Sequence, residues 1–385
     1  MSTVTITRRG EERLRSGHPW VYRSDVTSVS AAGGDVVRVL GGRDRGLGYA
    51  LYSDRSEIAL RLFTRGEDSP TLDTWRTRIQ AAADYRAQLA IDADAYRVIH
   101  GEADRLPGLV VDRYGDYLVM QTLSQAVDRL LPDLTRILVD ALNPSGILAR
   151  NDPRVRLLEG LDQRVEVVYG RVPDGIQVRE GRVTYVVDPY HGQKTGLFLD
   201  QRENRAAAQQ YAHGRALDAF SYNGGFAMAL APRCSNVLAV DISEDAVARI
   251  AENASSNGLT NIEARAMNVF DELRELERQN QRFDTIVLDP PAFARNKAAV
   301  PKALSGYKEI NLRALKLLNP DGVLVTCSCS YNVSEAAFAD VIASAAVDAH
   351  AEVVVVEKRM QARDHPVLMT VPETYYLKCF ILRKL

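Results

Sequence analysis

A chain of 385 residues is long enough for two or three domains, each with its own buried core, and 46% hydrophobic and 25% charged residues exclude a disordered or fibrous polymer. The formal net charge of −2 excludes a global field that would pull the protein onto nucleic acid, so an RNA site has to be a local basic patch. No apolar run reaches the ~18–20 residues of a membrane span, no secretory leader is visible, and four cysteines are too few for a disulfide framework, which reads as a cytoplasmic protein in a reducing compartment.

In residues 1–72, short apolar runs at 3–6, 35–40, 46–52 and 57–63 alternate with turn signals such as Ala-Ala-Gly-Gly, the pattern of a small β-barrel. This segment holds 11 arginines against nine acidic residues and is the only part of the chain that leans basic. The stretch 16–26 sets Trp20 and Tyr22 beside Arg15 and Arg23. Looped RNA bases stack on aromatic and guanidinium faces, which makes Trp20 and Arg23 candidates for substrate contact, although Trp20 and Tyr22 suit the barrel's own core equally well. From 73 to about 99 the apolar spacing predicts a helix. Two strand-like pieces then meet at Tyr114-Gly115-Asp116 as a hairpin would, and a helix, a strand at 147–150 and strands at 165–170 and 182–188 follow. Residues 73–190 read as a central α+β domain.

From 191 to 385 the period switches to strand–helix alternation. Strand runs at 215–220, 236–242, 262–267, 283–289 and 322–329 are separated by amphipathic stretches such as 243–257 and 305–318. This predicts a parallel sheet covered on both faces, with ligands at the carboxyl ends of its strands.

The first of those strands carries Asp218 near its end and runs into a turn with adjacent glycines, Gly224 and Gly225, which let main chain approach a ligand before the next helix begins. A pyrophosphate cradle would read G-x-G-x-x-G here, and its absence argues against a dehydrogenase. Asp241 ends the second strand, where a carboxylate can accept both hydroxyls of a ribose. Adenosine without a pyrophosphate is implied. Either aspartate alone could be a polar strand end; their joint placement around the Gly-Gly turn carries the reading.

Asp289-Pro290-Pro291-Ala292-Phe293 follows the fourth strand. The prolines fix the loop and withhold N–H groups, so Asp289 is aimed at a planar substrate on which Phe293 can stack. At the end of the fifth strand, Cys327 and Cys329 are two apart and share a face, with Cys329 nearer the cleft. Cys329 is the candidate nucleophile. Its thiolate can add to C6 of a cytosine, so that C5 becomes enamine-like and takes a methyl group; loss of the C5 proton then expels the enzyme. A free thiol titrates near ~8.5, so the site must lower that value or use the minor thiolate fraction. Asp289 would assist at N3 as addition proceeds. No metal is expected, because neither Cys234 nor Cys379 has metal-type spacing to the Cys-x-Cys pair.

At these motifs the chain resembles the class I methyltransferases, and over its full length it resembles the large-subunit ribosomal RNA cytosine-C5 methyltransferases with an N-terminal PUA domain. The matching segments are RSGHPWVYRSDV, LPGLVVDRYGDYLVMQ, GQKTGLFLDQRENR (192–205), FSYNGGF, LDPPAFAR and TCSCSYN, in order. The resemblance implies a Rossmann-like, seven-stranded, mostly parallel sheet at 191–385, a PUA β-barrel at 1–72 and a central α+β domain at 73–190. It also implies S-adenosyl-L-methionine as cofactor, ribosomal RNA as partner and, for many members, a homodimer. It places Asp218, Phe220, Tyr222, Gly224 and Asp241 around the cofactor. Asn268 stands where such proteins often carry aspartate, and its carbonyl is expected to accept from the adenine amino group. A second cysteine in the base loop, found in another branch, is missing here, so a different base must resolve the adduct.

Two other readings of the residues stand beside this one: methylation of a purine nitrogen, because the Asp-Pro-Pro-x-Phe tetrad also suits an exocyclic amine or guanine edge, and an RNA-binding ribosome assembly factor that no longer turns over.

Overall fold

The structure, a computed structural model, describes residues 2–294 and 296–385. The chain forms two units: one carries the chain up to Arg179 with Val186–Leu199 and Arg363–Thr374, the other Glu180–Tyr185, Asp200–Ala362 and Tyr375–Leu385.

In the first unit, the short apolar runs near the amino end form a six-stranded sheet in the order Trp20–Tyr22, Ile58–Thr64, Gly46–Tyr52, Val36–Leu40, Thr3–Ile6, Val26–Ser30. Alternation along these strands sends Val4, Val21, Val37, Val39, Ala50 and Leu60 into one buried cluster. The all-strand expectation misses a helix, Arg8–Arg15, whose start is capped by the Thr7 hydroxyl accepting from Gly10 N. Only Leu14 among its side chains is a large apolar one, which is why no helical period was visible.

The same unit holds a five-stranded sheet in the order Arg164–Gly170, Gly146–Asn151, Tyr117–Thr122, Leu109–Tyr114, Ala95–His100. Helices Leu72–Gln88 and Leu131–Leu142 pack on it through Trp75, Ile79, Leu134 and Leu138. The helix expected to reach residue 99 stops at Gln88, because Ala90 turns to φ 49°, and 95–100 is a strand instead.

In the second unit, seven strands lie in the order Ile262–Ala266, Asn236–Asp241, Arg215–Ala219, Phe283–Leu288, Leu318–Ser328, Lys378–Lys384, Val353–Met360. The first five run parallel, and Lys378–Lys384 is antiparallel to both neighbours. Helices Val269–Arg278, Val300–Leu317 and Glu335–Asp348 contribute to its main buried cluster. Arg215–Ala219 lies between Asn236–Asp241 and Phe283–Leu288, so the strand order reverses beside it and a crevice opens at the carboxyl ends. Among the described residues no helix is long and apolar enough to cross a membrane.

Candidate functional site

Asp218 lies in the central strand and is buried. Its Oδ2 accepts from the Ser221 hydroxyl at 2.5 Å and from Ala227 N at 2.8 Å, tying the strand to the start of helix Gly225–Leu230. Burial pushes its carboxyl up to about 6 against the pull of those two bonds. Its Oδ1 has no hydrogen-bond partner among the described residues. A buried carboxylate oxygen without a donor is costly, and suits a cationic ligand group at this position.

The turn after Asp218 is conformationally unusual: Phe220, Tyr222 and Gly224 have φ of 66°, 51° and 85°. Non-glycine residues held there cost about 1–3 kcal/mol each and persist only when neighbours dictate them. The neighbours are visible. Tyr222 N donates to Asp241 Oδ2 at 2.8 Å, Ser221 N to Val240 O at 3.0 Å, and Ser243 N to Asp241 Oδ1 at 3.0 Å. Each Asp241 oxygen thus takes one main-chain donor and keeps a lone pair for a further hydroxyl. A Cβ on Gly224 would lie 2.9 Å from Met228 Cε, and one on Gly225 3.2 Å from Arg205 Cδ. Arg205 is itself fixed by the Glu180 carboxylate at 2.7 and 2.5 Å.

Beyond Asp241, Ile242 is 70% exposed and Met267, at the tip of the adjacent strand, 43%. Two apolar side chains left in water beside a ribose-type carboxylate suit a flat heterocycle. Asn268 differs from the expectation: its Oδ1 accepts from Phe270 N at 3.0 Å and Asp271 N at 3.4 Å, capping helix Val269–Arg278. The carbonyl expected to meet adenine is engaged by its own helix, and the amide nitrogen has no partner among the described residues. These residues fit S-adenosylmethionine: an orphaned acid for a cationic end, a diol acceptor and an apolar slot.

Asp289 directly follows strand Phe283–Leu288. Its N donates to Ala219 O at 3.3 Å, and its Oδ1 accepts from Gln201 Nε2 at 2.8 Å. Gln201 is buried and in turn accepts from Asn204 Nδ2 at 2.6 Å. Pro290 is buried and Pro291 exposed. Phe293 is half-buried, its ring 4.7 Å from that of Tyr307, 6.0 Å from Phe270 and 6.4 Å from Phe220, so part of its surface is spent on protein.

The two cysteines part company. Strand Leu318–Ser328 ends at the residue before Cys329. Cys327 is fully buried in register with Cys379, and the Cys379 thiol together with burial pushes its own thiol well up. Cys329 is partly exposed, with Sγ 3.7 Å from Pro290 O. Ser330 locks this approach. Its hydroxyl accepts from Ala294 N at 3.1 Å and bonds Tyr307 OH at 3.0 Å, while its carbonyl accepts from Lys378 Nζ at 2.7 Å. Among the described residues no group of three His, Cys, Asp or Glu side chains is arranged to hold a metal ion.

The sequence reading missed Gln201, Ser330, Tyr307 and Lys378. Lys378 carried a signal, a lone charge opening the apolar run Lys-Cys-Phe-Ile-Leu. In the first unit, Trp20 is half-buried, with its indole N–H donating to Glu102 Oε1 at 3.0 Å, and Arg23 donates to Ser53 O at 3.1 Å and Ser56 O at 2.6 Å. Both side chains therefore have structural uses within that unit.

A family model described as a PUA-like domain matches residues 4–65, and one described as an S-adenosylmethionine-dependent methyltransferase matches residues 124–374. The protein named ribosomal RNA large subunit methyltransferase I in Tolumonas auensis is 39% identical, with 99% of each chain covered, and its namesake in Erwinia tasmaniensis is 38% identical over 100% of both. A crystal structure described as a putative methyltransferase complexed with SAH shares the fold at TM-score 0.87, with 22% identity over 100% of both chains.

Proposed function

Because the chain belongs to the S-adenosylmethionine-dependent methyltransferase family, we propose that it methylates C5 of a cytosine in large-subunit ribosomal RNA through a covalent adduct on Cys329. The RNA class is supported by full-length relatives named ribosomal RNA large subunit methyltransferase I and by the PUA-like match at 4–65. The base and the chemistry are supported by one observation above all: a partly exposed thiol lies against the Asp289-Pro290 loop, 3.7 Å from the Pro290 carbonyl.

When bound, the cofactor supplies an electrophilic methyl group. Asp218 Oδ1 is suited to its ammonium, Asp241 to its ribose, and Ile242 with Met267 to its adenine, where the Asn268 amide nitrogen donates to a ring acceptor. At the neighbouring strand tips, Cys329 Sγ adds as thiolate to C6 of the cytosine, and the electron pair displaced from the C5–C6 bond makes C5 nucleophilic. Asp289, oriented by Gln201, hydrogen-bonds the N3 edge as charge builds there. After C5 is methylated, loss of its proton and breakage of the C6–S bond restore the aromatic ring and the free thiol.

RNA containing 5-fluorocytosine tests this reading, since C5 then has no proton to lose. With cofactor present, the intact protein should become covalently attached to that RNA, and Cys329→Ala should abolish both the adduct and 5-methylcytosine formation. Methylation that persists in Cys329→Ala overturns the covalent route and favours a purine nitrogen as acceptor.

A further inference from the structure

Lys378 occupies an improbable place for a cation. It sits in register opposite Ser328, the last residue of the strand that delivers Cys329, and is 1% exposed. Its Nζ donates to Ser330 O at 2.7 Å and to Tyr376 O at 3.0 Å, which uses two of its three N–H groups. Among the described residues no carboxylate forms an ion pair with it; the nearby Glu335 is engaged by Lys358 at 2.9 Å and by Tyr375 OH at 2.7 Å. A buried ammonium without a counter-ion is costly, and a leucine or methionine here would avoid that cost.

The surroundings show what the charge can serve. Cys329 precedes the residue whose carbonyl holds the ammonium. Burial pushes Lys378 down to about 8, and the two groups that raise it again are Cys329 first and Glu335 second. Several other groups near the thiol work against its ionisation. The Pro290 carbonyl accepts from the S–H, Asp289 next to it in the base loop is an acid, and Tyr307, from helix Val300–Leu317, is kept neutral by burial. Cys327 and Cys379 face one another across the sheet as thiols. Among the described residues, the Lys378 ammonium stands on the carbonyl of the residue next to Cys329, where its charge favours the thiolate.

We propose that Lys378 is the buried counter-ion of Cys329 and holds the nucleophile as a thiolate before RNA arrives. The thiol proton of Cys329 goes to solvent, and the Lys378 ammonium, already held on the Ser330 and Tyr376 carbonyls, offsets the charge of the thiolate left behind. Lys378 is thus a positioning residue that acts through Cys329, and the proposal rests on Cys329 being the nucleophile.

The test is the pH dependence of Cys329 alkylation by iodoacetamide in the full-length protein, followed by mass spectrometry of the peptide that carries it. In the unaltered protein the midpoint should fall at least one unit below the ~8.5 of a free thiol. Lys378→Met should raise it by at least one unit, leaving about tenfold less thiolate at pH 7. Methylation by Lys378→Met should drop about tenfold at pH 7 and recover towards pH 9.5, which a purely structural defect would not produce, with cofactor binding by calorimetry as the control for folding. An unchanged midpoint in Lys378→Met overturns the proposal. If that variant does not fold, the unaltered protein decides: a midpoint at or above ~8.5 overturns it, and a lower one supports it. Persistent methylation by Cys329→Ala would instead remove the covalent reading, while the alkylation profile would still report the ion pair.

Discussion

Asp218 holds two functions in one side chain. Oδ2 is spent inside the protein on Ser221 and Ala227, and Oδ1 is buried with no donor among the described residues. An acid in that state binds a cation only when ionised, and burial has pushed its carboxyl up to about 6. The sign follows directly. Above pH 6 the site is anionic and cofactor affinity should be flat; below it the carboxyl takes a proton and affinity should fall by roughly tenfold per unit. Calorimetric titration with S-adenosylmethionine from pH 4.5 to 8 reads this. Asp218→Asn keeps an acceptor for Ser221 and Ala227, so it should bind weakly at every pH with the break at 6 gone. A break that survives the substitution would assign it to another group.

Elements, in contrast to single residues, were largely legible. The five runs between 215 and 329 stand as the five parallel strands; apolar residues fill buried ones such as Asn236–Asp241 and Phe283–Leu288, as burial on both faces demands, whereas the edge strand Ile262–Ala266 has no buried residue. What the chain did not announce was long-range pairing. Nothing local says that Lys378–Lys384 inserts antiparallel between Leu318–Ser328 and Val353–Met360, so neither the ammonium beside Cys329 nor its role could be inferred. Ser330 was invisible for the same reason: its partners Ala294 and Tyr307 lie 36 and 23 residues away. The turn at 220–225 reads from its paired glycines as a place where main chain nears a ligand, and there Gly224 takes a φ of 85° that favours glycine. Gly224→Ala should therefore destabilise the protein by about 1–2 kcal/mol in urea titrations and weaken cofactor binding about tenfold or more. Ser330→Ala should leave cofactor binding intact, cost about 1–3 kcal/mol through the two buried partners it strands, and slow methylation by loosening Cys329 from the base loop.

At the scale of the molecule, the chain passes between the two units five times, so neither is a contiguous segment and truncation is a poor probe of RNA binding. Substitution is better, and the arginines differ in how free they are. Arg23, Arg61, Arg78, Arg86 and Arg156 are tied to carbonyls or carboxylates inside the first unit. Arg43 and Arg105 are exposed and make no side-chain hydrogen bond or ion pair among the described residues. With a net charge of −2 the whole protein offers no attractive field, so phosphate affinity must come from such local, uncommitted guanidinium groups. Arg43→Ala/Arg105→Ala should weaken binding of ribosomal RNA fragments and flatten the dependence of log affinity on log salt by about 0.7 for each phosphate that is no longer neutralised on single-stranded RNA. Cofactor affinity should not change, because both residues belong to the first unit and every candidate cofactor contact to the second. Filter binding from 50 to 200 mM salt measures this, and an unaltered slope would move the RNA-contacting surface elsewhere.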